Sequence, residues 1–178
     1  MSHSDKYIFL DRDGTIIHDV NYLKNISDIR FFDGTFRALK KFIDYDYKLV
    51  LITNQSGIGR GMFTRDQFHK VNNAIINQLK SVGITIERTL YCPHLPTDHC
   101  ECRKPATGLF DQFTGDNDVN VNESWMIGDK ETDVQFGLRC NLSTIYINAN
   151  LESNLESNYK NTVSCISGTI DIICDDKN

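Results

Sequence analysis

Two short apolar runs in this chain end in carboxylates. Tyr7-Ile-Phe-Leu10 runs into Asp11-Arg-Asp13-Gly14-Thr15, and Trp125-Met-Ile127 runs into Gly128-Asp129-Lys130-Glu131-Thr132-Asp133. An apolar run of this length is the pattern of a buried strand. In open parallel sheets, ligands bind beyond the carboxyl ends of the strands. Three or four carboxylates gathered there repel one another, so one must take a proton or a cation must sit between them. Mg²⁺ answers that need: it takes oxygen ligands, keeps several waters and commonly holds substrate phosphate as well. Each acid pair alone is also the sequence of a turn. Both together, after apolar strands of one chain, point to a site.

Between the two pairs lies Leu51-Ile-Thr53-Asn54-Gln55-Ser56-Gly57, with further glycines at 59 and 61. Short hydroxyl and amide donors beside glycine backbone suit a phosphate cradle; a plain glycine loop is the alternative. Downstream come Arg103 and Lys104. Pro105 biases Lys104 away from helical geometry. A cation fixed near phosphate could neutralise the charge of a transferring phosphoryl group, although most Arg-Lys pairs are solvated.

Three of the six cysteines, Cys92, Cys100 and Cys102, fall within eleven residues, with His94 among them. Three thiolates and one imidazole are the donor set of a closed, structural zinc site; His99 could stand in for His94. The three prolines, at 93, 96 and 105, argue against helix or strand over residues 91–105, so this segment reads as a loop held by metal. Because Cys102 adjoins Arg103 and Lys104, zinc would fix the loop that carries both cations, as scaffold and not as catalyst. Cys140, Cys165 and Cys174 read as small buried apolar residues, and His3, His18 and His69 as exposed without partners.

The elements that must position these groups are legible from periodicity. Strands are expected over 7–10, 48–53, 89–91, 125–127 and 144–147, and helices over 34–45, 64–82, 132–139 and 167–174. Thr64 and Gln67 form a capping box, and Gly83 is a stop. Alternating strands and helices imply a layered α/β fold with a mostly parallel sheet. Residues 115–124 and 148–161 read as polar connectors. The 178 residues suit one domain, 1–178, with the zinc loop as an insert over about 91–105. A net charge of −5 argues against a nucleic-acid partner. No stretch approaches a membrane span and no signal-peptide core opens the chain, so no membrane partner and a cytoplasmic location are expected. With no heptad pattern, a monomer is expected.

Taken in order, Asp-x-Asp-Gly-Thr, the strand-end Thr53, Lys104 and Gly-Asp-x-x-x-Asp resemble the four motifs of the haloacid dehalogenase superfamily of phosphatases, from Tyr7 to about Ile147. The resemblance implies a three-layer Rossmann-like fold with a central parallel sheet, a zinc-binding loop and no large cap domain. It implies Asp11 as the nucleophile that becomes an aspartyl-phosphate, Asp13 as general acid and then base, and Thr53 and Lys104 as holders of the phosphoryl oxygens. Mg²⁺ would sit on Asp11, the Asp13 backbone carbonyl and Asp129. Asp133 would lie behind them, orienting Lys130 or a metal-bound water.

Within the superfamily, Cys92-Pro-His94-x-Pro96…Cys100-x-Cys102-Arg103-Lys104-Pro105 resembles the zinc loop of the heptose 1,7-bisphosphate 7-phosphatases and the histidinol-phosphate phosphatases. Zinc would then sit on Cys92, His94, Cys100 and Cys102. Residues 53–61 and Asn21-Tyr22-Leu23 are closer to the heptose enzymes. The short loop, with five residues between His94 and Cys100, is closer to the histidinol ones. Pocket residues outweigh loop length, because loops tolerate insertions while specificity resides in contacts. The implied substrate contacts are Asp19, Asn21, Asn54, Gln55, Ser56, Arg103 and Lys130, with the Arg103 fork suited to a second phosphate. The expected function is Mg²⁺-dependent removal of the 7-phosphate of D-glycero-D-manno-heptose 1,7-bisphosphate, a small sugar phosphate. The rivals are histidinol-phosphate hydrolysis and a zinc-stabilised binding module without activity.

Overall fold

The computed structural model describes residues 4–149 and 159–174. Six strands, β1 (Tyr7–Leu10), β2 (Lys48–Asn54), β3 (Arg88–Cys92), β4 (Trp125–Gly128), β5 (Ser143–Ile147) and β6 (Thr162–Val163), form one sheet in the order β3-β2-β1-β4-β5-β6. Every adjacent pair is parallel. Among the described residues five α-helices lie between strands, α1 (Thr35–Asp44), α2 (Ser56–Gly59), α3 (Arg65–Ser81), α4 (Gly108–Thr114) and α5 (Glu131–Arg139), and α6 (Thr169–Ile173) follows the last strand.

Strand side chains alternate between the two faces of a sheet, and here the alternation builds two cores. Ile8, Leu10, Leu49, Leu51 and Ile127 pack with Leu39 and Phe42 of α1 and Val71, Ile75 and Leu79 of α3. Tyr7, Phe9, Val50, Ile52 and Met126 pack on the other face with Phe110 and Phe113 of α4 and Phe136 of α5. The result is the expected three-layer α/β sandwich. Phe9 meets Phe110 and Phe113 edge-on, with ring centroids 5.3 and 5.5 Å away; truncating such a ring costs about 3–5 kcal/mol. The helix expected over 64–82 runs from Arg65 to Ser81, and its capping box forms: Gln67 N–H donates to Thr64 Oγ1 (3.2 Å), and Thr64 N–H to Gln67 Oε1 (2.8 Å).

Several elements differ from the sequence expectation. The sheet is wholly parallel, and β6, two residues long, was not foreseen. Helix α4 was missed because its apolar residues span only two turns. Residues 91 and 92 belong to β3 and Pro96–Asp98 form a 3₁₀ turn, so the segment 91–105 is not wholly a loop. The last helix is shorter than expected, after a 3₁₀ turn at Ile166–Gly168. Most of the connector 148–161 lies outside the described residues. Among the described residues, no helix is long and apolar enough to cross a membrane.

Candidate active site

Strand β1 lies between β2 and β4, so the carboxyl ends of these three strands converge. The chain leaves β1 still registered on β4, with Asp11 N–H donating to Ile127 O at 2.9 Å. It then turns at Gly14, where φ is +90°. A Cβ on Gly14 would lie 2.2 Å from Asp129 Oδ2, and one on Gly128 would lie 2.3 Å from Asp133 Oδ2. These two glycines therefore give both acids of the second motif their room. Thr15, buried, reaches Asp129 Oδ1 at 3.5 Å.

Lys104 enters this rim from the loop after β3. Its backbone is pinned to the end of β2 by a reciprocal pair: Lys104 N–H donates to Asn54 Oδ1 (3.0 Å) and Asn54 Nδ2 to Lys104 O (3.1 Å). Its buried ammonium donates to Asp11 Oδ1 (2.6 Å), Ile52 O (2.7 Å) and Asp133 Oδ1 (2.7 Å). Burial opposes that charge, but Asp11 and Asp133 outweigh it and raise the Lys104 pKa. Burial likewise pushes Asp11 upward, with Lys104 opposing and Asp133 adding to the push. Asp133 also accepts the Lys130 backbone N–H at 3.0 Å through Oδ2. Both its oxygens are thus engaged: it holds the Lys104 ammonium as well as the backbone of Lys130, one of the two partners the sequence suggested.

Asp13 is held from two sides. Arg12 donates through Nε to Oδ2 (3.0 Å) and through one terminal nitrogen to Oδ1 (3.1 Å). Gln55 Nε2 donates to Asp13 Oδ2 (2.8 Å) and to Thr53 Oγ1 (2.9 Å). Asn54 and Gln55, expected as substrate contacts, therefore spend their amides on Lys104, Asp13 and Thr53. They line the cavity but serve its own groups.

That cavity, about 750 Å³, takes in Asp11, Asp13, Asp19, Asn21, Thr53, Asn54, Gln55, Ser56, Arg103, Lys104 and Lys130. All the expected catalytic and substrate-contacting positions thus line this one cavity. Lys130 Nζ stands 3.5 Å from Asp19 Oδ2 and 3.9 Å from Asp129 Oδ2. Arg103 leans on the His94 carbonyl at 3.4 Å. Arg139, which sequence reasoning did not single out, reaches the cavity edge and donates to Pro105 O at 3.1 Å.

The donor sets fit two cations. Oxygens of Asp11, Asp129 and Asp133 lie within 4.8 Å of one another. Burial, and then the neighbouring Asp11, push Asp129 up to about 7, the response of a carboxyl placed among others. Asp133 has both oxygens engaged by nitrogen donors, whereas Lys104 occupies only one oxygen of Asp11, so Asp11 and Asp129 keep oxygens that could hold Mg²⁺. Cys92, His94, Cys100 and Cys102 also converge within 4.8 Å. Cys92 Sγ is 3.6 Å from both Cys100 Sγ and His94 Nδ1, His94 Nδ1 is 3.1 Å from Cys102 Sγ, and the Cys100 and Cys102 sulfurs are 3.5 Å apart. Four ligands about 2.3 Å from zinc stand about 3.7 Å apart. His94, not His99, belongs to this cluster.

Comparison with known proteins gives the family. The family model described as Polynucleotide kinase 3 phosphatase matches residues 6–162. The D-glycero-beta-D-manno-heptose-1,7-bisphosphate 7-phosphatase of Yersinia pestis is 38% identical over 151 residues, 81% of this chain and 80% of that protein. The chain belongs to the haloacid dehalogenase superfamily of phosphatases. A second relative, the Histidine biosynthesis bifunctional protein HisB of Blochmanniella floridana, is 37% identical over 75% of this chain and 38% of its own length. The crystal structure of the D,D-heptose 1,7-bisphosphate phosphatase from B. bronchiseptica, complexed with magnesium and phosphate, shares the fold. Its TM-score is 0.82 at 23% identity, covering 95% of this chain and 98% of that one.

For this phosphatase, Arg12 is the residue of the rim most plainly missed by sequence reasoning. A charged residue beside two acids reads as solvated, yet Arg12 is 1% exposed. Smaller readings divide. His18 and His69 are exposed as expected, but neither lacks a partner: His18 stacks on Phe32 with centroids 3.9 Å apart, and His69 Nε2 meets the Tyr91 hydroxyl at 3.2 Å. Cys140 and Cys174 are buried as expected, while Cys165 is exposed. His3 lies outside the described residues.

Proposed function

We propose that the chain is a Mg²⁺-dependent phosphomonoesterase that removes the 7-phosphate of D-glycero-D-manno-heptose 1,7-bisphosphate through an aspartyl-phosphate. The observation that carries the reading is Lys104 Nζ at 2.6 Å from Asp11 Oδ1, in a cavity shared with Asp13, Thr53 and Arg103.

In the first step an Asp11 carboxylate oxygen attacks phosphorus while the bond from phosphorus to the sugar oxygen breaks. Asp13 gives its proton to that oxygen, so the sugar leaves as an alcohol. In the second step Asp13, now a carboxylate, takes a proton from water as the water attacks phosphorus and the bond to Asp11 breaks. Phosphate leaves and both side chains return to their starting forms. Thr53 and Lys104 orient the phosphoryl oxygens. Mg²⁺ held by Asp11, the Asp13 carbonyl and Asp129 would lessen the repulsion between nucleophile and phosphate. Zn²⁺ on Cys92, His94, Cys100 and Cys102 would fix the loop carrying Arg103 and Lys104. Arg103 is assigned the second phosphate, and Asp19, Asn21, Ser56 and Lys130 the sugar.

A second reading, histidinol-phosphate hydrolysis, is favoured by the five residues between His94 and Cys100 and by the likeness to the histidine-biosynthesis relative. The family model's description names a polynucleotide phosphatase, but a net charge of −5 does not favour binding a phosphate backbone. We read the protein as one monomeric domain over residues 1–178. A cytoplasmic site is supported by cysteines that form no disulfide among the described residues.

Phosphate release is measured across sugar mono- and bisphosphates, histidinol phosphate and a 3′-phosphorylated oligonucleotide. Heptose bisphosphate should lead. Faster release from histidinol phosphate would overturn the substrate assignment and keep the mechanism. A wild type that releases phosphate from nothing, with or without Mg²⁺, would favour the binding-module reading.

A further inference from the structure

Arg12 is among the largest fully buried side chains of the described protein. Arginine keeps its charge when buried, and a buried ion is unfavourable unless well paired. Yet its pairing is narrow. Among the described residues every hydrogen bond of its guanidinium goes to Asp13, at 3.0 and 3.1 Å, while one terminal nitrogen is buried without a partner. Following Ile8 and Leu10 along the alternation of β1, Arg12 falls on the α3 side of the sheet, where its guanidinium carbon stands 5.2 Å from the Phe68 ring centroid. A methionine would fill this space without an orphaned donor. What arginine adds is a two-pronged grip on a single carboxylate.

Gln55 closes the other side of Asp13, at 2.8 Å. Asp13 therefore cannot turn without losing donors that are themselves fixed, Arg12 by burial and Phe68, Gln55 by Thr53. We infer that Arg12, braced on Phe68, is the positioning residue that aims Asp13 at the leaving oxygen of the substrate. The inference rests on the phosphatase reading above. In the step concerned, the bond from phosphorus to the ester oxygen breaks, the bond from Asp11 to phosphorus forms, and the Asp13 proton passes to the departing oxygen. A group that delivers that proton is worth ~10²–10⁴-fold in rate, and small misplacement forfeits much of it.

Proton delivery matters for an alkyl alkoxide and little for p-nitrophenolate, so leaving-group dependence separates aim from general damage. Wild type, Arg12→Met, Arg12→Lys and Phe68→Leu are compared on a sugar phosphate in steady state and on p-nitrophenyl phosphate in the pre-steady-state burst. Arg12→Met should lower kcat on the sugar phosphate by on the order of 10²-fold, with KM within about threefold and the burst rate within about threefold. Arg12→Lys, with one prong, should recover part of the loss. In an Asp13→Asn background Arg12→Met should add nothing, since groups acting as one unit are not additive. Equal losses on both substrates, or an additive double variant, would overturn the inference and leave the phosphatase reading intact. A wild type inert on both phosphates would overturn both. If Arg12→Met does not fold, Phe68→Leu, which removes the brace and keeps the charge, should show the same leaving-group-dependent loss in milder form; an equal loss on both substrates there would overturn the inference.

Discussion

Lys104 and Asp11 are 93 residues apart in the chain and 2.6 Å apart at the rim of the sheet. The contact joins the first strand to the loop that carries the Cys92, His94, Cys100 and Cys102 cluster and that Asn54 pins through its amide. Lys104 is also the only cation touching Asp133, at 2.7 Å, among the ion pairs of the described residues. Removing it leaves two buried carboxylates facing each other. Lys104→Met should therefore lower the stability of the metal-free protein by ~3–5 kcal/mol and abolish turnover. Thermal unfolding with and without Mg²⁺ checks the first part: added Mg²⁺ should recover some of the lost stability, since a cation again stands among the acids. A metal-free variant as stable as wild type would show that the pair contributes nothing.

Asn54 offers a finer test of the same device. Its side-chain amide exchanges two hydrogen bonds with the Lys104 backbone, at 3.0 and 3.1 Å. Asn54→Ala removes both, at about 1 kcal/mol each, while leaving the ammonium and the acids in place. We expect kcat to fall about 10- to 100-fold, as displaced catalytic groups do, with Mg²⁺ affinity unchanged. A raised KM at full kcat would mean that Asn54 is a substrate contact after all.

That ambiguity shows where sequence stops. Asp11, Asp129 and the strands beneath them were legible because each motif is local: an apolar run, then acids and a glycine. The capping box of α3 was legible for the same reason. Asn54 and Gln55 were placed correctly at the end of β2 but given to the substrate, because amides at a strand end look outward until Lys104 and Asp13 are known to meet them. Arg12 was invisible because its burial depends on Phe68, which comes from another element. Helix α4 and strand β6 were too short for their periodicity to stand out. For Asn54, Gln55 and Arg12, long-range pairing and not local propensity decided the outcome.

The carboxyl of Asp129, raised from 3.8 to about 7 by burial and Asp11, makes Mg²⁺ binding depend on pH. A carboxyl whose folded pKa lies above its unfolded value favours the folded state at low pH. That contribution is present below about 4 and is lost as pH rises through about 7. The metal-free protein should therefore lose stability between pH 5 and about 7.5, and Mg²⁺ should restore it. Because the cation competes with that proton, its affinity should fall about tenfold per pH unit below 7. Calorimetric titration at several pH values checks this; equal affinities at about pH 5.5 and 7.5 would show that Asp129 is not a ligand.

Zinc removal probes the loop from the opposite end. Burial pushes the Cys92 and Cys102 thiols upward, and a cation is what would draw all three sulfurs together as thiolates. With zinc bound, three thiolates and His94 would fix Cys102, and through it Arg103 and Lys104. A strong, zinc-selective chelator should therefore cut kcat sharply in the presence of saturating Mg²⁺, and re-added Zn²⁺ should restore it. Cys102→Ser should do the same without a chelator, and should raise KM for a bisphosphate more than for a monophosphate, since Arg103 is the residue assigned to the second phosphate. Metal content by mass spectrometry, read beside both rates, separates the outcomes. One equivalent of zinc lost with no change in turnover would mean that Asn54 alone suffices to hold Lys104.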